Sequence, residues 1–173
     1  MCFGLDTNLL YRRLFSRLLL AGEGCRVRPF DPEKVQVLIP SMAEEELSRR
    51  VGRKYDRRDV EELKRALRDR SVADDLFNCL NKNGRKALNG QAEVVALKRT
   101  YNCWSAQGGS FVDDKEARDD EMLRSVAAEM FEQRVEVLFL TNDDKTRAHA
   151  NAHKVPSLLV TYPYDVPSTI SYD

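Results

Sequence analysis

The chain has 173 residues, long enough for one domain with a real core, and its 28 Lys+Arg balance 28 Asp+Glu to a formal net charge of zero. Charged residues at 32% and hydrophobic ones at 42% describe a folded chain and argue against intrinsic disorder. The longest apolar runs (18–20, 37–39 and 137–140) fall far short of the roughly 20 residues of a membrane span, and MCFGLDTNLLYRR lacks the layout of a secretory signal, so a cytoplasmic protein without membrane attachment is expected.

In chain order, CFGL (2–5) reads as a short buried strand ending at Asp6. In TNLLYRRLFSRLLLAGEG, Leu10, Leu14 and Leu18 recur at helical spacing beside Phe15 and Leu19, with Thr7 or Asn8 as the cap. VQVLI (35–39) is a second strand closed by Pro40, and Ser41 caps the helix SMAEEELSRRV. Residues 59–70, 72–82 and 87–101 are helical by pattern, with NKNG and NG as turn signals. WSAQGGS reads as a loop and 110–112 as a very short third strand. The stretch 113–134 is a helix with Met122, Val126 and Met130 on one face, and VEVLFLT (135–141) is the clearest strand. A helix or turn follows, then a last strand, SLLVT (157–161), and a proline-containing tail from 163.

Strands separated by helices imply parallel pairing through right-handed crossovers. The expectation is a three-layer α/β/α sandwich with a parallel sheet of about five strands, as a single domain over 1–162 that includes the helical segment 55–105 as an insertion or lid. The four cysteines form no CxxC pair, which points to reduced thiols rather than zinc.

The zero net charge conceals segregation: residues 48–70 are arginine-rich and 112–123 are acidic. The first is either a solvated helix face or a surface for an anionic polymer. The acids follow a plan of their own. Asp6 ends the first strand, Glu44, Glu45 and Glu46 follow the second, Asp113, Asp114, Asp119 and Asp120 follow the third, and Asp143 and Asp144 follow the fourth. Ligands of open parallel sheets bind beyond the carboxyl ends of the strands, so these residues would border one crevice. An Asp at a helix start is equally an N-cap, which accounts for Asp6, Asp113 or Asp143 taken singly. A cluster of carboxylates, however, resists desolvation unless something positive sits in it. No lysine or histidine follows the same pattern, so a hard divalent cation with oxygen ligands is the expected filler, with chemistry on a phosphate group.

Taken in order, D-T-N, I-P-S-M-A-E-E-E-L, R-D-D-E-M-L and L-T-N-D-D resemble the PIN domain, a family of metal-dependent ribonucleases, over residues 3–160. The resemblance implies one or two Mg²⁺ or Mn²⁺ ions held by Asp6, Glu46, Asp119 and Asp143, with Glu45 the alternative to Glu46, Asp120 the alternative to Asp119 and Asp144 the alternative to Asp143. Thr7, Thr141 and Asn142 would orient these acids or touch phosphate. The implied activity is endonucleolytic cleavage of single-stranded RNA by a metal-activated water, leaving a 5′ phosphate. Arg49, Arg50, Arg53, Lys54, Arg57 and Arg58 would hold the RNA backbone. The segment between Glu46 and Asp119 is longer than in the compact toxins of toxin–antitoxin pairs, which counts against that role.

The rivals are a non-catalytic RNA-binding or assembly module on the same fold, and a small-molecule phosphatase. The phosphatase ranks last, because Asp6-Thr7-Asn8 lacks a second acid two residues on. His149 and His153 share a helix face but have no further partner in sequence, so zinc is disfavoured. No nucleophilic triad and no glycine-rich phosphate loop is present. Tyr101 and Trp104 read as core or loop anchors rather than base-stacking residues. A homodimer and an inhibitory or assembly partner remain open.

Overall fold

This computed structural model describes residues 1–11, 31, 33–52 and 82–160. Five strands, β1 (Cys2–Leu5), β2 (Gln36–Leu38), β3 (Asn102–Trp104), β4 (Val137–Thr141) and β5 (Ser157–Leu159), form one sheet in the order β3-β2-β1-β4-β5. Every pairing is parallel. The helices are α1 (Thr7–Tyr11), α2 (Ser41–Gly52), α3 (Lys82–Thr100), α4 (Lys115–Gln133) and α5 (Asp144–Ala152). No helix among the described residues is long and apolar enough to cross a membrane.

The order of strands dictates the layers. From β1 the chain steps to β2 and β3 in one direction, then returns to place β4 and β5 on the other side of β1. Right-handed crossovers in opposite directions put their helices on opposite faces. Accordingly α1, α2 and α3 pack on one another, and α4 packs on α5. This is the expected α/β/α sandwich.

β1 lies at the centre, and all four of its residues are buried, as in a parallel strand covered on both faces. Gly4 is there for close approach. A Cβ at that position would meet Phe139 Cδ2 at 2.7 Å and Val137 Cγ1 at 3.0 Å on neighbouring β4. Phe139 is fully buried and has nowhere to retreat. Gly4→Val is therefore expected to cost about 3 kcal/mol through overpacking, read as a lower urea midpoint at unchanged m-value.

The structure moves the third strand. Residues 110–112 are bend and loop, whereas Asn102–Trp104, just past the expected helix 87–101 and running into the expected loop, pairs with β2. Helix α3 begins at Lys82 and runs through both supposed turn signals. Its interior Gly90 marks a helix crossing, because a Cβ there would collide with Leu47 of α2. The described part of the first helix is Thr7–Tyr11, and the expected helices 59–70 and most of 72–82, like the tail from 163, lie outside the described residues. Cys2 and Cys103 are free thiols, pushed up to about 11 chiefly by burial. Tyr101 is buried and Trp104 half-buried against the core, in keeping with anchors.

Candidate metal centre

The centre of the sheet is also its switch point: β1 and β4 are neighbours, and the chain leaves their carboxyl ends in opposite directions. Such a divergence opens a crevice at the strand tips. Asp6 and Thr141 stand on either side of it. Asp6 is 2% exposed, its amide donates to the Leu140 carbonyl at 3.0 Å, and its Oδ2 accepts from Thr141 Oγ1 at 2.7 Å. The Asn8 side-chain amide adds a 3.4 Å bond to the same oxygen. Thr141 is fully buried, and its hydroxyl in turn accepts from the Asp143 amide at 3.0 Å. One threonine thus couples two of the expected acids. Thr7 is buried beside Asp6 in sequence, and Asn142 is half-buried.

Helix α2 sorts its three glutamates by direction, since each residue turns about 100° from the last. Glu44 points to Lys98 of α3 at 2.8 Å and Ser105, and Glu45 pairs with Arg49 at 2.9 Å. Glu46 alone turns into the crevice and is buried. There it accepts from Arg50 at 2.5 Å and Tyr11 Oη at 3.4 Å, with Arg118 Nη2 at 3.5 Å. Burial and the field of Glu46 push the Tyr11 hydroxyl upward.

Helix α4 delivers the third acid. Asp114 caps it, accepting from the Ala117 amide at 2.9 Å, which sets the phase of the following turn. In that phase Asp119 faces inward, buried, and accepts from Thr146 Oγ1 of α5 at 3.2 Å. Asp120 faces α5 instead, where His153 Nε2 lies at 2.8 Å and His149 Nδ1 at 3.4 Å. The two histidines that shared a helix face in sequence therefore find their partner in Asp120, whose pKa the His153 hydrogen bond lowers. Asp143 caps α5, its Oδ1 accepting from the Lys145 amide at 2.9 Å, while Asp144 is exposed and pairs with Arg147 at 3.0 Å.

The electrostatics show which acids share one environment. Burial raises the Asp6 pKa to about 6, with a further rise from Asp119 and Glu46 that the Thr141 hydrogen bond only partly offsets. Burial likewise raises Asp119, with Lys115 and Thr146 opposing and Glu46 adding. Asp143 departs the other way. Burial would lift it, but the Lys115 ammonium and the amides of Lys145 and Thr146 prevail, and its pKa is lowered. Asp6, Glu46 and Asp119 thus lie in each other's field, and Asp143 joins them through Thr141 and Lys115.

No lysine follows the strand-end pattern in sequence, yet Lys115 reaches these edges. From the first turn of α4 its Nζ lies 2.5 Å from Asp143 Oδ2 and 3.8 Å from Asp119 Oδ2. Among the described residues, no three His, Cys, Asp or Glu side chains stand as a ready-made metal cage. The donors are nonetheless all carboxylate oxygens, the set a hard divalent cation takes. Asp6 is a buried acid with two like charges in its field and only neutral hydrogen-bond donors on its oxygens. By donor chemistry these residues fit a divalent ion; as built, they are spread around a lysine.

Two further cationic features frame the rim. Arg118 is buried, holds the Val112 and Asp113 carbonyls at 3.0 and 3.1 Å, and lies 5.2 Å from the Phe111 ring. Arg49 stacks over the same ring at 4.1 Å, and Arg50 over Tyr11 at 5.1 Å. Of the expected RNA-holding residues only Arg49 and Arg50 are described, both engaged with glutamates; Arg53, Lys54, Arg57 and Arg58 lie outside the described residues. Sequence reasoning passed over Lys115, Arg118, Thr146, Tyr11 and Phe111. The one signal available for the lysine was its place four residues before Asp119, on the same helix face.

No curated protein matches the chain. Among solved structures it is similar to a domain of a functionally unknown protein from Methanocaldococcus jannaschii DSM 2661, at 13% identity and a TM-score of 0.57, covering 99% of each chain, a likeness of fold alone. The sequence model of the PIN domain matches residues 4–160, almost the full length. With acids at the strand tips of a five-stranded parallel sheet and this match along its length, the chain belongs to the PIN domain family.

Proposed function

We propose that this protein is a Mg²⁺- or Mn²⁺-dependent endoribonuclease acting on single-stranded RNA. PIN domains are generally nucleases and typically use divalent metals, which is the family-level ground for the reading. The observation that carries it is the burial of Asp6, Glu46 and Asp119 at the switch point, in one another's field, with Asp6 pushed up to about 6. Such an arrangement opposes folding unless a cation relieves it.

Asp6, Glu46, Asp119 and Asp143 would hold the ion. When bound, it supplies charge against the negative charge growing on a phosphodiester and lowers the pKa of an attacking water. The protein's own part is positioning. Thr141 holds Asp6 by one oxygen and leaves the other directed elsewhere. Thr146 does the same for Asp119. Arg50 and Arg118 fix Glu46 and add positive charge that attracts a phosphate backbone. Arg49, held over the Phe111 ring, adds a further cation at the rim for a phosphate backbone.

The rival, a non-catalytic RNA-binding or assembly module, draws on Lys115, since an acid cluster with a resident ammonium needs no metal. The two separate in one experiment. A labelled single-stranded RNA incubated with wild type and Mn²⁺ is expected to yield internal cleavage products that EDTA suppresses and Asp143→Asn reduces at least about a hundredfold, on the order of 3 kcal/mol of transition-state stabilisation. Cleavage by Asp143→Asn at the wild-type rate sinks the enzymatic reading.

A further inference from the structure

The acids at the strand tips already have a cation. Lys115 Nζ contacts Asp143 Oδ2 at 2.5 Å and Asp119 Oδ2 at 3.8 Å, and it feels Asp6 as well. Asp143 gives its Oδ1 to the Lys145 amide, so the oxygen facing Lys115 is the one left for anything else. Asp119 offers Thr146 and Lys115 the same Oδ2. An ammonium and a divalent ion cannot both use Asp143 Oδ2, and the two cations would also repel at contact distance.

We propose that Lys115 is an internal counter-ion that a divalent cation must displace from Asp143, so that this lysine sets the metal concentration the site requires. The inference rests on the metal-site reading above.

The local architecture suits such an exchange. The Lys115 backbone is fixed as the first residue of α4, directly after the Asp114 cap. Its side chain is not fixed in the same way: it is 50% exposed and reaches the acids over a flexible four-carbon stem. It can turn to solvent without disturbing the helix. Lys145 is held at 3.0 Å by Glu116, and among the described side chains Lys115 is the cation in ion-pair contact with Asp143. In the absence of metal the ammonium lowers the mutual repulsion of the acids. In its presence it competes. A single opposite charge at this range alters the cation affinity of a carboxylate by roughly ten- to a thousandfold, as it does for a proton.

The experiment is a Mn²⁺ titration of the full chain, followed by isothermal calorimetry and by melting temperature, on wild type, Lys115→Met, Lys115→Gln and Lys115→Arg. The two neutral variants are expected to bind Mn²⁺ at least about tenfold more tightly than wild type and to melt lower in EDTA. Lys115→Arg, which keeps the charge, is expected to bind Mn²⁺ as weakly as wild type, an outcome that a merely structural lysine would not produce. If wild type and both neutral variants bind Mn²⁺ equally, or the neutral variants bind it less tightly, the counter-ion role is overturned and the metal site stands. If no form responds to Mn²⁺ by heat or by melting, the metal-site reading falls and this inference falls with it.

Discussion

Asp6→Asn is expected to stabilise the metal-free protein at pH 8 and at the same time to abolish the proposed Mn²⁺-dependent hydrolysis of RNA. Both effects come from one buried carboxylate. In the fold, burial and the neighbouring acids hold the Asp6 pKa at about 6, against 3.8 when unperturbed. A carboxyl whose folded pKa is raised binds its proton more tightly folded than unfolded. Its contribution is therefore fully favourable below about pH 4 and is lost as pH rises through 6. The charged form then costs on the order of 2–3 kcal/mol at pH 8. Asparagine carries no charge, yet its amide oxygen still accepts the Thr141 hydrogen bond.

The expected difference between variant and wild type, from urea unfolding in EDTA, grows between pH 4 and 7 and then levels near about 2 kcal/mol. Asp143, held down by Lys115 and the α5 amides, contributes with the opposite slope, but it is common to both proteins and cancels in the difference. Loss of hydrolysis should exceed about a hundredfold. A pH-independent difference would show that Asp6 is not strained by its surroundings.

The second large effect concerns Arg118. This residue is buried, grips two loop carbonyls, stacks near Phe111 and faces Glu46. Arg118→Met removes the charge but keeps much of the stem. It leaves Glu46 with Arg50 alone and frees the Val112 and Asp113 carbonyls. Breaking one side of a buried ion pair typically costs about 3–5 kcal/mol. Because Arg50 remains and the pair distance is 3.5 Å, about 2–4 kcal/mol is expected here. Arg118→Lys should recover little of it, since an ammonium cannot span the carbonyls and the carboxylate as the planar guanidinium does. Chemical denaturation at pH 7 measures both; full recovery by lysine would contradict the bridging role.

The parts of this structure that were legible in sequence are those in which one local rule operates. β1 and β4 are short apolar runs that stop at polar residues, and both proved to be buried central strands. The acids at their tips could be read because the ends of the strands could. β3 could not: Asn102, Cys103 and Trp104 form an edge of three residues, with an exposed Asn and two half-buried side chains, too little apolar character for a pattern. Residues 110–112 had the better strand composition, but Phe111 is committed to stacking between Arg49 and Arg118. The resemblance singled out Glu46, but the physical sorting of Glu44, Glu45 and Glu46 needed the placement of α3 and α4, which supply Lys98 and Arg118. Lys115 was hidden in an acidic run and meets Asp143 28 positions later, a separation that no window on the sequence can see.

The central position of β1 has a consequence for how the chain reaches this state. Cys2 pairs with Gln36 on one side and with Val137 on the other, and Thr141 meets Asp6 across 135 residues. During synthesis one flank of β1 waits until almost all of that length has left the ribosome. Long-range pairings of this kind slow the search for the native topology. Until β4 slots in, the backbone N–H and C=O groups of β1 are unpaired along one edge, so the nascent protein spends its most aggregation-prone interval before Asp6 has acquired its threonine.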